Sequence, residues 1–236
     1  MSRQLPLAWP VPPAARLGQF DATGNEAVPP LLQGLLAAPP GAAPLLLAGP
    51  QGVGKTHLLA GSGEAGRSRG LRCAYVALSR WADFDGDALQ SLAGHDLLLI
   101  DEVEQVAGTR SRELSVFDLY NRALDRGARL LMAGREPPAR LPLLLPDLRS
   151  RLEAATLVTV QPLPEPARRR LLAARARERG FELDEAVLDY LFRHQRRDLP
   201  NLLALVDRID RESLARQRRV TVPLVRDVLA DAGPHS

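Results

Sequence analysis

The sequence predicts an α/β domain built on a five-stranded parallel sheet flanked by helices, followed by a small all-helical domain. Three observations carry this. Five short apolar runs recur between residues 45 and 160, with helix-compatible spacing between them. Such alternation is what a parallel sheet covered on both faces requires. After Gln161-Pro162-Leu163-Pro164 the short runs end and only helical periods follow. The first run leads directly into Gly49-Pro50-Gln51-Gly52-Val53-Gly54-Lys55-Thr56, a glycine-rich loop of phosphate-binding form that opens a helix.

Residues 1–13 hold four prolines and no helical period, so an extended tail is expected there. A helix over 25–38 ends at Pro39-Pro40-Gly41. The apolar runs at 45–48, 73–78, 97–100, 130–133 and 157–160 read as strands. Between the third and fourth, residues 112–126 carry Leu114, Phe117, Leu119, Tyr120 and Leu124 at helical spacing, and Gly127 stops that helix. Beyond the prolines, helices are expected over 165–179 closed by Gly180, then over 184–193, 202–216 and 222–230, the last capped by Thr221. The domains are therefore expected at 14–162 and 163–236 behind the 1–13 tail.

Composition narrows the function. With 236 residues and 45% hydrophobic content, the chain can bury a core, which excludes a disordered class. No apolar run approaches the roughly 20 residues of a membrane span, and the start lacks the pattern of a secretory signal, so a cytoplasmic location is expected. Cys73 is the single cysteine, which excludes an intrachain disulfide and a cysteine-based metal site. His57, His95, His194 and His235 fit no metal-ligand spacing. The net charge is +3, and from Gln161 onward 15 arginines face 12 acids, so that segment carries all of it. Of the 31 basic residues only Lys55 is a lysine, and it falls where a compact, rotatable ammonium suits a phosphate cradle better than a planar fork.

In such a loop the backbone N–H groups and the helix N-terminus face the phosphates of ATP or ADP. Lys55 reaches the β and γ oxygens, and the Thr56 hydroxyl ligates Mg²⁺. His57 continues the motif into the helix. The run Asp96-Leu97-Leu98-Leu99-Ile100-Asp101-Glu102 has the matching form of an apolar strand that delivers a carboxylate pair. Asp101 is the candidate for the Mg²⁺ shell, and Glu102 the candidate to orient or deprotonate an attacking water.

Four further stretches carry a family resemblance: Gly54-Lys55-Thr56-His57-Leu58-Leu59, Phe117-Asp118-Leu119-Tyr120-Asn121-Arg122, Leu145-Pro146-Asp147-Leu148-Arg149-Ser150-Arg151-Leu152 and Arg179-Gly180-Phe181-Glu182-Leu183. The chain resembles the DnaA-related AAA+ proteins, and among them the regulatory inactivators of the replication initiator DnaA. The likeness runs over nearly the whole sequence. It implies an AAA+ sheet with a helical lid and leads us to expect neither the initiator's separate N-terminal domain nor its C-terminal helix-turn-helix. It further implies that Arg151 is an arginine finger, acting in trans on the γ-phosphate held by a neighbouring AAA+ protein. Gln4-Leu5-Pro6-Leu7-Ala8-Trp9 resembles the peptide by which these regulators dock on the polymerase III sliding clamp (its β subunit). Gln4 would supply hydrogen bonds, and Leu5, Leu7 and Trp9 the apolar anchors. The implied partners are DnaA and the clamp, with DNA reached indirectly through the clamp; self-association as a homo-oligomer is compatible with the family.

Two positions depart from the family pattern. The end of the fourth strand carries Arg135 where an aspartate is expected at sensor 1, and an arginine cannot accept hydrogen bonds as a carboxylate does. Pro200 stands at the expected sensor 2 arginine, with Arg197 one turn away in sequence. Binding of nucleotide with at most weak intrinsic hydrolysis is therefore expected. An autonomous AAA+ ATPase or helicase loader, supported by Glu102, and a DNA-binding initiation factor using the arginine-rich lid are the alternatives.

Overall fold

The computed structural model describes residues 15–83, 86–194 and 199–230. The chain divides into two compact units, Met1–Pro162 and Leu163–Ser236. In chain order the first unit carries α1 (Val28–Ala37), β1 (Leu45–Ala48), α2 (Lys55–Arg67), β2 (Cys73–Ala77), α3 (Gly86–Ser91), β3 (Leu97–Asp101), α4 (Arg110–Asp125), β4 (Arg129–Gly134), α5 (Pro146–Glu153) and β5 (Thr156–Thr159). The strands form one all-parallel sheet in the order β2-β3-β4-β1-β5. Each strand lies within one residue of its predicted run at either end, because the run length is set by how much chain the two helical layers cover.

Alternation sorts the strand residues onto two faces. Leu46, Val76, Leu98, Ile100, Leu130 and Met132 join a cluster with Leu89 of α3, Val116, Leu119 and Tyr120 of α4, and Leu148 and Leu152 of α5. Leu45, Leu47, Leu97, Leu99 and Leu131 join a second cluster with Leu32, Leu35 and Leu36 of α1 and Leu58 and Leu59 of α2. The result is three layers with β1, β3 and β4 buried on both sides, which is why those strands read as unbroken apolar runs rather than alternating ones. Arg72 and Asp96 latch the entrance to β2 and β3 with an ion pair at 2.8 Å. Helix α4 ends in a left-handed Gly127 (φ 76°), with Gly127 and Ala128 donating to the carbonyls of Leu124 and Ala123, the Schellman arrangement its sequence predicts.

Glycines weaken a helix by roughly 1 kcal/mol each relative to alanine, yet α2 runs unbroken through Gly61, Gly63 and Gly66, all buried. The compensation is close packing. A Cβ on Gly61 would come 2.8 Å from the Leu17 backbone nitrogen, and one on Gly66 would come 2.9 Å from Cys73 Sγ. The segment around Leu17–Gln19, a 3-10 turn, therefore rests directly on α2. Gly61→Ala is expected to lower the melting temperature by several degrees despite its better helix propensity, because overpacking costs about 1–3 kcal/mol. A melting temperature above the parent's would show that this contact is not tight.

The second unit comprises α6 (Glu165–Glu178), α7 (Glu185–His194), α8 (Leu199–Arg216) and α9 (Val222–Ala230). Leu172, Val187, Leu191, Val206, Ile209, Val225 and Val228 form its core. Gly180 (φ 85°) closes α6, its N–H and that of Phe181 reaching back to Arg177 and Ala176. Helix α8 begins three residues before the predicted 202, since Pro200 falls in its first turn, where a missing N–H is harmless. No described helix is long and apolar enough to cross a membrane.

Candidate functional site

The carboxyl ends of β1, β4 and β3 bring the phosphate-loop and carboxylate motifs side by side. Ala48 stands opposite Gly134, and Ile100 opposite Met132, so Gly49, Arg135 and the Asp101-Glu102 pair emerge from three adjacent strands at one edge of the sheet. Ligands of open α/β sheets bind at such edges.

The loop itself depends on its glycines. A Cβ on Gly49 would strike the Val160 carbonyl, Gly52 sits at φ 82°, and Gly54 sits at φ 100° with the Phe20 ring 3.1 Å from where its Cβ would be. Val53 packs against the second core cluster, while Pro50 and Gln51 are exposed at the tip. Lys55 opens α2 with its side chain buried, and its ammonium donates to the Gly49 and Pro50 carbonyls at 2.5 and 2.8 Å. Burial pushes its pKa down, against the pull of the Glu104 and Asp101 charges. His57 Nε2 contacts the Arg16 carbonyl at 3.1 Å and its ring lies over Phe20, 6.5 Å between centroids.

The Thr56 hydroxyl donates to Asp101 Oδ2 at 2.6 Å, the Tyr75 hydroxyl donates to the same oxygen at 3.1 Å, and the Glu102 N–H donates to Oδ1 at 2.9 Å. Burial raises the Asp101 pKa and these three donors lower it. The Tyr75 hydroxyl is pushed up by burial and by Asp101, so it stays a donor. One hydroxyl and one carboxylate in contact suit Mg²⁺, which takes few protein ligands and completes its shell with phosphate oxygens and water. Glu102 adopts a left-handed backbone (φ 60°, ψ 47°) at the start of the 3-10 turn Val103–Val106. A non-glycine residue there costs about 1–3 kcal/mol, strain of the kind that gathers at functional positions. Arg135 is joined to Glu104, Nε to Oε1 at 3.0 Å.

Arg151 stands apart from this group. It lies exposed in the last turn of α5, and among the described residues its guanidinium makes no hydrogen bond or ion pair. Its helix, by contrast, is firmly tied. Glu113 is completely buried and accepts from the N–H groups of Gly108, Leu144 and Leu145 at 2.7–2.9 Å. Arg149 donates to the carbonyls of Leu141 and Leu143 at 3.1 Å, and the Tyr120 hydroxyl to that of Arg151 at 3.2 Å.

Sequence reasoning missed Phe20, Tyr75, Glu104 and Glu113, whose roles depend on contacts between distant residues. Gln4, Leu5, Leu7 and Trp9 lie outside the described residues, as does Arg197; Pro200 is part of α8.

A family model for the bacterial DnaA ATPase domain matches residues 33–159, and one for the lid domain of Hda matches residues 165–229. Among solved structures, domain III of the Thermotoga maritima replication initiation protein DnaA is similar at 21% identity and TM-score 0.79, over 96% of this chain and 98% of that one. AMPPCP-bound DnaA from Aquifex aeolicus is similar at 22% identity and TM-score 0.71, over 87% and 68%. The Thermotoga maritima RuvB Holliday junction branch migration motor is similar at 18% identity and TM-score 0.67, over 92% and 72%. At these identities the structural likenesses speak for the fold.

Proposed function

From the premise that the chain belongs to the bacterial DnaA ATPase family of AAA+ proteins and carries an Hda-type lid, we propose that it is a regulatory inactivator of the DnaA initiator. It holds ADP or ATP with Mg²⁺ in the loop from Gly49 to His57, docks through Gln4, Leu5, Leu7 and Trp9 on the DNA-loaded sliding clamp, and presents Arg151 to the ATP bound by DnaA. The observation that carries this reading is the exposed guanidinium of Arg151, which makes no hydrogen bond or ion pair among the described residues, on a helix tied down by Glu113, Arg149 and Tyr120. A guanidinium carried on a fixed helix and without a partner among the described residues is available to stabilise charge developing on another molecule's nucleotide.

The chain's own nucleotide serves as a structural element in this scheme. Lys55 and the loop amides bind phosphates, Thr56 and Asp101 hold Mg²⁺, and Tyr75 fixes the Asp101 carboxylate. Contact with DNA runs through the clamp. In the lid, Arg169 pairs with Asp189, Arg179 with Asp207 and Asp210, and Arg216 with Glu212, which consumes basic charge that direct phosphate contacts would need.

Single-turnover hydrolysis of ATP bound to DnaA, measured with clamp loaded on DNA, tests the proposal. Adding the nucleotide-bound chain should accelerate it by about a thousandfold or more. An unchanged rate would overturn the reading. The strained Glu102 beside Asp101 favours a second reading, an autonomous AAA+ ATPase, and steady ATP turnover by the chain alone would move the assignment there.

A further inference from the structure

The ion pairs of the second unit leave part of its basic charge unspent. Along α8, Arg208 and Arg211 lie one turn apart, on the side turned away from Leu202, Leu205, Val206 and Ile209, which the helix buries in the core. Ala204 and Ala215, both exposed, extend that side by a turn in each direction, so no bulky side chain screens it. Arg211 is exposed and Arg208 half-buried, and among the described residues neither guanidinium makes a hydrogen bond or ion pair.

Two more arginines follow at the end of the helix. Gln217 takes a left-handed backbone (φ 49°), a conformation that usually falls to glycine at a helix end. The Arg218 N–H donates to the Ser213 carbonyl at 3.1 Å and the Ser213 hydroxyl to the Arg218 carbonyl at 2.6 Å, which closes the turn. The side chains of Arg218 and Arg219 are exposed and, like those of Arg208 and Arg211, without a partner among the described residues. Acids of the same stretch do not neutralise the four: Asp207 and Asp210 pair with Arg179, and Glu212 with Arg216. About 12 Å of helix axis separates Arg208 from the last residue of α8, and duplex DNA presents a charge about every 1.7 Å of its own axis.

We propose that Arg208, Arg211, Arg218 and Arg219 form a surface that binds the phosphate backbone of duplex DNA without regard to base sequence. This goes beyond the proposed function: the contact is made by the chain itself, in addition to the one through the clamp, and holds whether or not Arg151 is a finger. Guanidinium forks match phosphate oxygens, and such contacts hold a duplex while carrying no sequence information. Residues 199–230 contain no aromatic side chain, so the stacking platform on which single strands are held is missing. An anionic membrane surface fits less well, because a helix lying in a membrane inserts an apolar face, and that of α8 is spent on the core. Leu214, 71% exposed, is a single residue and makes no such face.

Titrating the full chain into a short fluorescently labelled duplex, without clamp, tests this by anisotropy over a range of salt from about 50 to about 200 mM. Four phosphate contacts predict a slope of log affinity against log salt of about −3.6, a loss of roughly a hundredfold across that range. Replacing Arg208 and Arg211 together by alanine should reduce the magnitude of the slope by about 2. The melting temperature of that variant should stay within about 2 °C of the parent's, as for other surface changes. Arg170 and Arg177, exposed on α6 and also without a side-chain partner among the described residues, supply a charge-matched control. Replacing both of them by alanine should leave the slope as it is. An unchanged slope in the first variant or an equal fall in the control overturns the proposal. So does the absence of binding at the lowest salt, or tighter binding to a single strand or to phosphatidylglycerol vesicles than to the duplex.

Discussion

Arg151→Ala lowers the clamp-dependent hydrolysis of DnaA-bound ATP by roughly a thousandfold relative to the parent's stimulated rate, in the lower part of the range that arginine fingers contribute. Its fold should be untouched. The guanidinium is exposed and unpaired among the described residues, and the contact Tyr120 makes with Arg151 is to the backbone carbonyl, which the substitution keeps. Surface changes of this kind stay within about 0.5 kcal/mol, so the melting temperature should move by no more than about 2 °C. Arg151→Lys should recover little, because an ammonium is a point charge and lacks the planar fork that spans two phosphate oxygens. The variant's own binding of ADP should equal the parent's, which separates a finger from a residue that supports the chain's own site. Stimulation equal to the parent's by Arg151→Ala would end the finger assignment.

The contrast between Arg151 and Arg135 shows what a sequence discloses. The phosphate loop and the Asp101-Glu102 pair are legible because their chemistry lies in contiguous residues and the strands that present them are apolar runs bounded by turns. The sheet was equally legible, since burial on both faces writes itself as Leu97-Leu98-Leu99-Ile100. Arg135 reads in sequence only as the loss of an expected carboxylate. Its partner is Glu104, 31 positions earlier, and nothing in either local pattern predicts that β3 and β4 bring the two together. Tyr75 looks like one more strand aromatic until β2 and β3 pair in register and its hydroxyl meets Asp101, 26 positions away. Helix α2 raises the opposite problem: its glycines argue for a break, and only the backbone of Leu17 lying across Gly61 explains why the helix continues.

Glu113 is the strongest case of a role that sequence hides, and removing it should cause the largest loss of stability. In sequence it is an acidic residue in the first turn of α4, where a negative charge is ordinary. In the structure it is 0% exposed and takes the N–H groups of Gly108, Leu144 and Leu145, the last being the residue that caps α5. Glu113→Ala leaves those donors without their acceptor in a dry site, at about 1–3 kcal/mol for each one that finds no water. A net loss of about 4 kcal/mol follows, and the thermal melt should fall by on the order of 10 °C. Glu113→Gln fills the same space but offers one acceptor oxygen where the carboxylate uses both, so it should fall between the parent and Glu113→Ala. Because Leu144 and Leu145 lead into α5, both variants should also lose part of the stimulation that depends on Arg151, in the same order, at temperatures well below their melts. A Glu113→Gln chain as stable as the parent would show that the second oxygen is dispensable. If Glu113→Ala lost stability but retained full stimulation, the finger would not depend on a fixed helix, and the reason for burying a carboxylate at this loop would be folding alone.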